Sequence, residues 1–177
     1  MVGAPPLAVA VDSMGSEYVS TLVEACRNEF HCTILDLPHS LAAEEVKAAM
    51  RLSDLVVVVG DFAAAGALCK FARLMSDGEF ANNIPKVVYV LNHVWKPAFS
   101  LLSLWNLTNL LRRFLLQKQG RAQLAKQQIE IFHELPHDRK SVRWALNQGE
   151  MVPDFTPLSQ ELTNLVKKIH ERLAFEH

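Results

Sequence analysis

The chain is poor in glycine, and its few glycines are scattered. None of the seven is followed by lysine. A phosphate-binding loop needs clustered glycines for close backbone approach and a lysine that meets the phosphates, as in GxxxxGK[ST]. The sequence therefore contains no loop of this kind, which excludes the usual clamp on the phosphates of a nucleotide.

The chain also has few cysteines, a small net charge and no long apolar run. The three cysteines, Cys26, Cys32 and Cys69, lack CxxC spacing, so we expect buried free thiols in a reducing compartment and no metal site. The net charge of −1 gives no electrostatic case for nucleic acid or an anionic membrane. No run approaches the ~18 apolar residues of a membrane span, and no signal peptide is evident. We therefore expect a cytoplasmic protein.

The chain does contain regular alternation of helical and strand-like segments. Half of its residues are hydrophobic, which suffices for the core of a single domain over residues 1–177. We predict helices at 16–29, 40–53, 63–75, 97–126 with a break at Gly120, 137–148 and 157–175, and strands at 32–37, 55–60, 86–91 and 129–135. This order predicts an α/β fold, a parallel sheet with helices on both faces.

The stretch FHCTILDLPH, residues 30–39, is predicted to hold the central strand. Residues 32–35 and Leu37 are apolar or β-favouring without clean polar alternation, which is typical of a strand buried on both faces. Asp36 then lies at the carboxyl end of that strand, the edge where open α/β sheets bind ligands. Pro38 ends the ladder. The sequence thus offers Asp36 as a site residue, although a helix-capping acid is an equal alternative.

Two later strand ends carry further candidates. Asn92 follows the strand KVVYVL, and Asp138 follows the last strand. Each has a plain alternative, since Asn92 suits a turn and Asp138 can cap the next helix. HELPH fits HExxH literally, but Pro136 and the preceding strand-like residues argue against the single helical face that zinc needs. In extended chain, His133 and His137 would lie roughly 13 Å apart at about 3.3 Å per residue.

Four segments of the sequence, taken in chain order, resemble the latter part of the MinD/ParA family of P-loop ATPases. Within that family they are most similar to the CpaE/TadZ-like pilus assembly proteins. They are DLP at 36–38, LVVVV at 55–59, VVYVLN at 87–92 and LPHDRKSVRWALNQGE at 135–150, and the resemblance covers about 16–173. It implies a partial P-loop NTPase fold. It also implies that Asp36, with Pro38, lies by magnesium and the attacking water, that Asn92 faces adenine, and that Pro136 and Asp138 belong to the segment closing over the base.

The absent phosphate loop departs from that family, so the chain resembles a member without its amino-terminal half. We expect no ATP hydrolysis by the chain alone; ATP and Mg²⁺ would bind only if the loop came from another chain. Strands 32–37 and 55–60 should then pair directly or accept a foreign strand. The expected function is a non-catalytic localisation or scaffold factor in pilus assembly or secretion. The alternatives are the nucleotide-binding half of a split ATPase and a plain protein-interaction domain.

Protein partners are expected in each case, with a homodimer as one option. The apolar segment 99–116, FSLLSLWNLTNLLRRFLL, has Arg112 and Arg113 as its only charges. We interpret it as a core or covering helix, and secondarily as a surface for a partner or a membrane.

Overall fold

The computed structural model describes residues 15–38, 43–76, 86–94 and 107–174. Their elements are the helices α1 (Ser16–Glu29), α2 (Glu44–Leu52), α3 (Ala65–Ser76), α4 (Leu107–Lys126), α5 (Arg139–Gln148) and α6 (Pro157–Ala174), and the strands β1 (Leu55–Gly60), β2 (Lys86–Val94) and β3 (Ile131–Pro136). A 3₁₀ turn, Phe62–Ala64, precedes α3. The strands form one parallel sheet in the order β1-β2-β3. The predicted α/β class with a parallel sheet is therefore confirmed.

Strand β2 is central, and its two faces meet different helices. Leu91, on one face, belongs to a core cluster with Leu68 of α3 and Leu124 of α4. Val90, its neighbour in sequence, belongs to a second cluster with Leu158 and others of α6. Both strand residues are fully buried, because successive side chains of a strand point to opposite faces. Helices thus cover both faces at this strand, as the sequence predicted.

The chain divides into two compact units. One comprises Met1–Val56 with Asn83–Lys86, and the other comprises Val57–Asn82 with Val87–His177. In the first unit α1 packs against α2, and the Arg27 guanidinium donates to the Leu52 carbonyl at 2.6 Å. The single domain over 1–177 stays a prediction.

The predicted central strand is wrong. Residues 32–37 form no strand, and the Ile34 side chain is 90% exposed. A β-favouring segment becomes a strand only where a neighbour supplies ladder bonds and a packed face. The sheet places β1 beside β2 alone, so the expected direct pairing of 32–37 with β1 is absent from the described ladders.

Smaller corrections concern exposure and boundaries. Strand β1 has the predicted bounds, but it is not buried on both faces, since Val57 and Val59 are 37% and 59% exposed. Val57 and Val59 lie on one face of the strand, whereas Val58 on the other face packs against the core, so only one face of β1 is covered. Cys32 is exposed and Cys26 is half-buried, so only Cys69 is buried as predicted. Helix α4 runs through Gly120 without a break.

Several predicted features lie outside the described residues. They are the first part of the second helix (40–42), the first part of the long helix (97–106) and the last residue of the final helix, 175.

Candidate functional site

The carboxyl end of β2 contains a β-bulge. Leu91 pairs with Glu134 and Val94 pairs with Pro136, so β2 advances three residues while β3 advances two. The extra residue is accommodated at Asn92 and His93, where His93 adopts φ +57°. A left-handed conformation costs a non-glycine residue about 1–2 kcal/mol. The side-chain oxygen of Asn92 accepts a hydrogen bond from the His93 backbone N–H at 2.8 Å, which offsets part of this cost.

The bulge brings His93 beside His137, which directly follows β3. The two imidazole centroids are 5.3 Å apart, with the rings at 81° in an edge-to-face arrangement. The backbone N–H of His137 donates to the Val94 carbonyl at 3.0 Å and extends the ladder past the bulge. Both rings are exposed. Two histidines from neighbouring strands therefore meet at the edge where parallel sheets bind ligands.

The electrostatics of this edge are cationic around His137. Although His137 is exposed overall, partial loss of water around its ring lowers its pKa, and His93, Arg113 and Arg139 lower it further because each disfavours another positive charge nearby. Asp138 opposes them and raises the same pKa. Since three neighbours of potential or fixed positive charge outweigh one carboxylate, the edge is unfavourable for a cation and favourable for an anion.

Asp138 and Pro136 have structural roles here. The Asp138 carboxylate accepts a hydrogen bond from the Ser141 backbone N–H at 3.1 Å and caps α5, which Gly149 closes at φ +67°. This is the capping alternative that the sequence offered. Pro136 ends β3 and is buried. Asn92 lies inside β2, not after it, because the strand continues to Val94. Asn92, Pro136 and Asp138 thus share one edge, and their roles toward a base stay predictions.

Asp36 and Pro38 belong to the other unit. Both are exposed, on a stretch that forms neither helix nor strand. The expectation that Asp36 ends a buried strand is therefore wrong, because that strand does not form. Its role beside magnesium stays a prediction of the resemblance alone.

The two histidines of HELPH have different partners. His133 is buried in β3, and its Nε2 lies 3.0 Å from the Glu161 carbonyl and 3.2 Å from the Glu161 carboxylate of α6. His137 instead faces His93. His133 to Pro136 belong to a strand, as predicted, and not to a helix. The two histidines therefore do not share one helical face and contact different residues. Among residues 15–38, 43–76, 86–94 and 107–174, no three His, Cys, Asp or Glu side chains gather as metal ligands.

Helix α4 presents an apolar outer surface. Leu111, Phe114, Leu115 and Leu116 are 52%, 54%, 52% and 41% exposed, and an open groove runs between several of them. The described residues 111–116 are thus largely exposed, while Leu124 of the same helix lies in the core, so α4 is a covering helix and not a core helix. Within the described portion of the chain, every helix is too short or too polar to cross a bilayer.

Comparison of the chain with protein-family models, with curated proteins and with solved structures finds no match in any of the three. The resemblance to the MinD/ParA family consequently stays a prediction from the sequence segments.

The His93–His137 pair was missed by sequence reasoning. The signal was present, since both histidines lie at the carboxyl ends of neighbouring predicted strands. The HExxH pattern directed attention to a pair along one strand, whereas the contact forms across two strands. The bulge that completes it depends on strand register, which one sequence does not reveal.

Proposed function

We propose that the chain is a non-catalytic relative of the MinD/ParA ATPases, closest to the CpaE/TadZ-like proteins, and that it acts as a localisation or scaffold factor in pilus assembly or secretion. The scaffold role rests on the apolar surface of α4, where Leu111, Phe114 and Leu115 are each about half exposed. Contiguous exposed apolar side chains favour a protein partner. The contact to the assembly machinery accordingly lies on this helix.

The non-catalytic character rests on the parts that phosphoryl transfer needs. Catalysis of this kind depends on a loop that cradles the phosphates and on a held magnesium ion that neutralises developing charge. The sequence has seven glycines and none precedes a lysine. Asp36, the acid that the resemblance assigns to magnesium, lies on an exposed stretch without a ladder. The parallel sheet with flanking helices agrees with a partial P-loop NTPase fold.

The proposal is tested by the position of the protein in its source cell. A fluorescent fusion of the full chain should form foci where pili or the secretion apparatus assemble. Phe114→Lys places a charge within the apolar surface and should disperse the foci. Ala125→Lys adds the same charge about 16 Å further along α4, at 1.5 Å per residue, and should leave them intact.

A uniformly distributed wild-type fusion would overturn the scaffold role, and so would foci that persist in Phe114→Lys. Both variants must show the wild-type melting temperature, so that a loss of folding is not taken for a loss of contact.

The second candidate is the nucleotide-binding half of a split ATPase. The observation in its favour is that Asn92, near the carboxyl end of β2, and Asp138, just after β3, share the edge that binds ligands in such sheets. In this case ATP with Mg²⁺ should not bind the chain alone in a calorimetric titration. It should bind after addition of a separately encoded segment that contains the phosphate loop, and Asn92→Ala should weaken that binding.

The remaining candidate, a plain protein-interaction domain, predicts partner binding through α4 without any response to nucleotide and without foci at an assembly site. Turnover of ATP by the isolated chain would exclude both this candidate and the non-catalytic proposal.

A further inference from the structure

The ends of β2 and β3 hold two imidazoles in a way that neither a scaffold role nor the core explains. His93 is left-handed in the β2 bulge, and its ring meets that of His137 at a centroid distance of 5.3 Å. Both rings are exposed, so the contact excludes little water and stabilises the core little. Strained, polar and exposed positions of this kind occur preferentially at binding sites.

Charge decides which ligand suits the pair. Arg113 of α4 and Arg139 of α5 are close enough to His137 to disfavour its protonation, and so is His93. Asp138 is the opposing carboxylate, and its oxygen already accepts the Ser141 N–H. These are the charged groups that act on His137 from β2, α4 and α5. An added cation would be repelled by the two guanidinium groups, whereas an added anion would be attracted to both.

Hydrogen-bonding capacity leads to the same class of ligand. A protonated imidazole offers N–H donors and no acceptor, and guanidinium groups donate in a planar fork that suits oxyanions. A metal ion would need deprotonated ligands, and the described residues provide no third ligand near the pair.

We propose that His93 and His137, with Arg113 and Arg139 supplying positive charge around His137, form a binding site for a phosphate-type oxyanion at the carboxyl edge of the sheet. The anion accepts hydrogen bonds from the two imidazolium rings and offsets the mutual repulsion of the four basic side chains. Binding and protonation of the rings are therefore coupled, and each strengthens the other. The site does not depend on the proposed scaffold function.

The test observes the histidine ring protons of the full chain by NMR. Sulfate is the first probe, because its charge stays constant between pH 6 and pH 8. Titration at constant ionic strength should shift the His93 and His137 signals in a saturable way. The affinity should rise as the pH falls from 8 to 6, by at most about tenfold per pH unit for each proton taken up with the anion.

The variants are chosen to keep the fold. His93→Asn removes the imidazole but keeps a residue that tolerates the left-handed conformation, and it should abolish the saturable shift at His137. His137→Gln should do the same at His93. His31→Gln and His170→Gln change exposed histidines elsewhere and should leave the affinity unchanged.

Inorganic phosphate and phenyl phosphate then distinguish the source of the ligand. Equal affinity indicates free phosphate, and tighter binding of the ester indicates a phosphate group carried on a larger molecule. The proposal is overturned if chloride at the same ionic strength reproduces the shifts, if His93→Asn binds sulfate like the wild type, or if the affinity does not change with pH.

Discussion

Burial and the neighbouring cations of His93, Arg113 and Arg139 lower the pKa of His137. The contribution of Arg113 can be isolated, because its neighbour Arg112 is also exposed on α4 and is not among the groups that act on this ring. We predict that Arg113→Gln raises the pKa of His137 toward its ordinary value, since one repulsive charge is removed. An NMR pH titration of the His137 ring measures this directly.

Arg112→Gln is the matched control and should leave the pKa of His137 unchanged. If both variants moved that pKa equally, the effect would come from the overall charge of α4, and the local arrangement around His137 would be contradicted.

The same lowered pKa makes stability depend on pH. The folded-state pKa of His137 lies below the unfolded value near 6.5, so the unfolded chain binds the extra proton more readily. The contribution of the neutral ring to stability is therefore fully present above pH ~6.5 and is lost as the pH falls through the folded-state pKa. We predict that His137→Gln shows a smaller decrease in melting temperature between pH 7 and pH 5 than the wild type.

Thermal unfolding at several pH values checks this prediction, with His170→Gln as the control for an exposed histidine on α6. An unchanged pH dependence in His137→Gln would show that other groups account for the acid sensitivity.

At the scale of helices, the contact of α4 with the turn before α3 depends on Gly120. A Cβ at this position would lie 2.9 Å from the Phe62 carbonyl oxygen, a backbone atom that cannot rotate away. Alanine normally stabilises a helix interior relative to glycine. Here we predict that Gly120→Ala lowers the free energy of unfolding by about 1–3 kcal/mol, because overpacking outweighs the helix propensity.

Gly66 of α3 provides the matched comparison. Its Cβ would come no closer than 3.5 Å to the end of the Gln123 side chain, so Gly66→Ala should raise the stability by about 0.4–1 kcal/mol. Urea unfolding of both variants should show a decrease in the free energy of unfolding for Gly120→Ala and an increase for Gly66→Ala. A stabilising Gly120→Ala would mean that the helix and the turn separate more easily than this packing allows.

The contact between β3 and α6 depends on a buried histidine. The His133 side chain is 8% exposed and reaches the carbonyl and carboxylate of Glu161. Removing the ring breaks this hydrogen bond and leaves a cavity at a buried site, which costs about 1–3 kcal/mol. We predict a loss of this size for His133→Ala in denaturant unfolding, and almost none for His170→Ala on the exposed side of α6.

How far the sequence predicts these elements depends on what stabilises each of them. Helix α1 and strand β1 have the predicted bounds, since a local apolar period and a run of valines define them. The segment 32–37 has an equally strong β preference, yet it forms no strand, because ladder partners are not encoded locally. The His93–His137 contact likewise depends on the register between two distant strands. The sequence therefore predicts local elements and the edge of the site, but neither the bulge nor the pair.

At the scale of the whole molecule, stability should be greatest along β2. This strand has neighbours on both sides in the sheet, and two separate core clusters meet at its fully buried residues Val90 and Leu91. Amides in β2 should exchange only when much of the fold opens. Strand β1 has one ladder partner, and residues 31–38 have none. We predict that backbone amides exchange slowest in β2, faster in β1 and fastest in 31–38.

Hydrogen–deuterium exchange read by mass spectrometry of peptides distinguishes the three regions in one experiment. Val90→Ala should accelerate exchange in β2 and in the peptides of β3 that pack on α6, because it opens a cavity in their shared cluster. The control is Val59→Ala on the exposed side of β1, which should change exchange only locally. Strong protection of residues 31–38 would contradict the absence of a strand there. It would also revive a central strand that ends at Asp36, because slow exchange requires those amides to be bonded in a ladder.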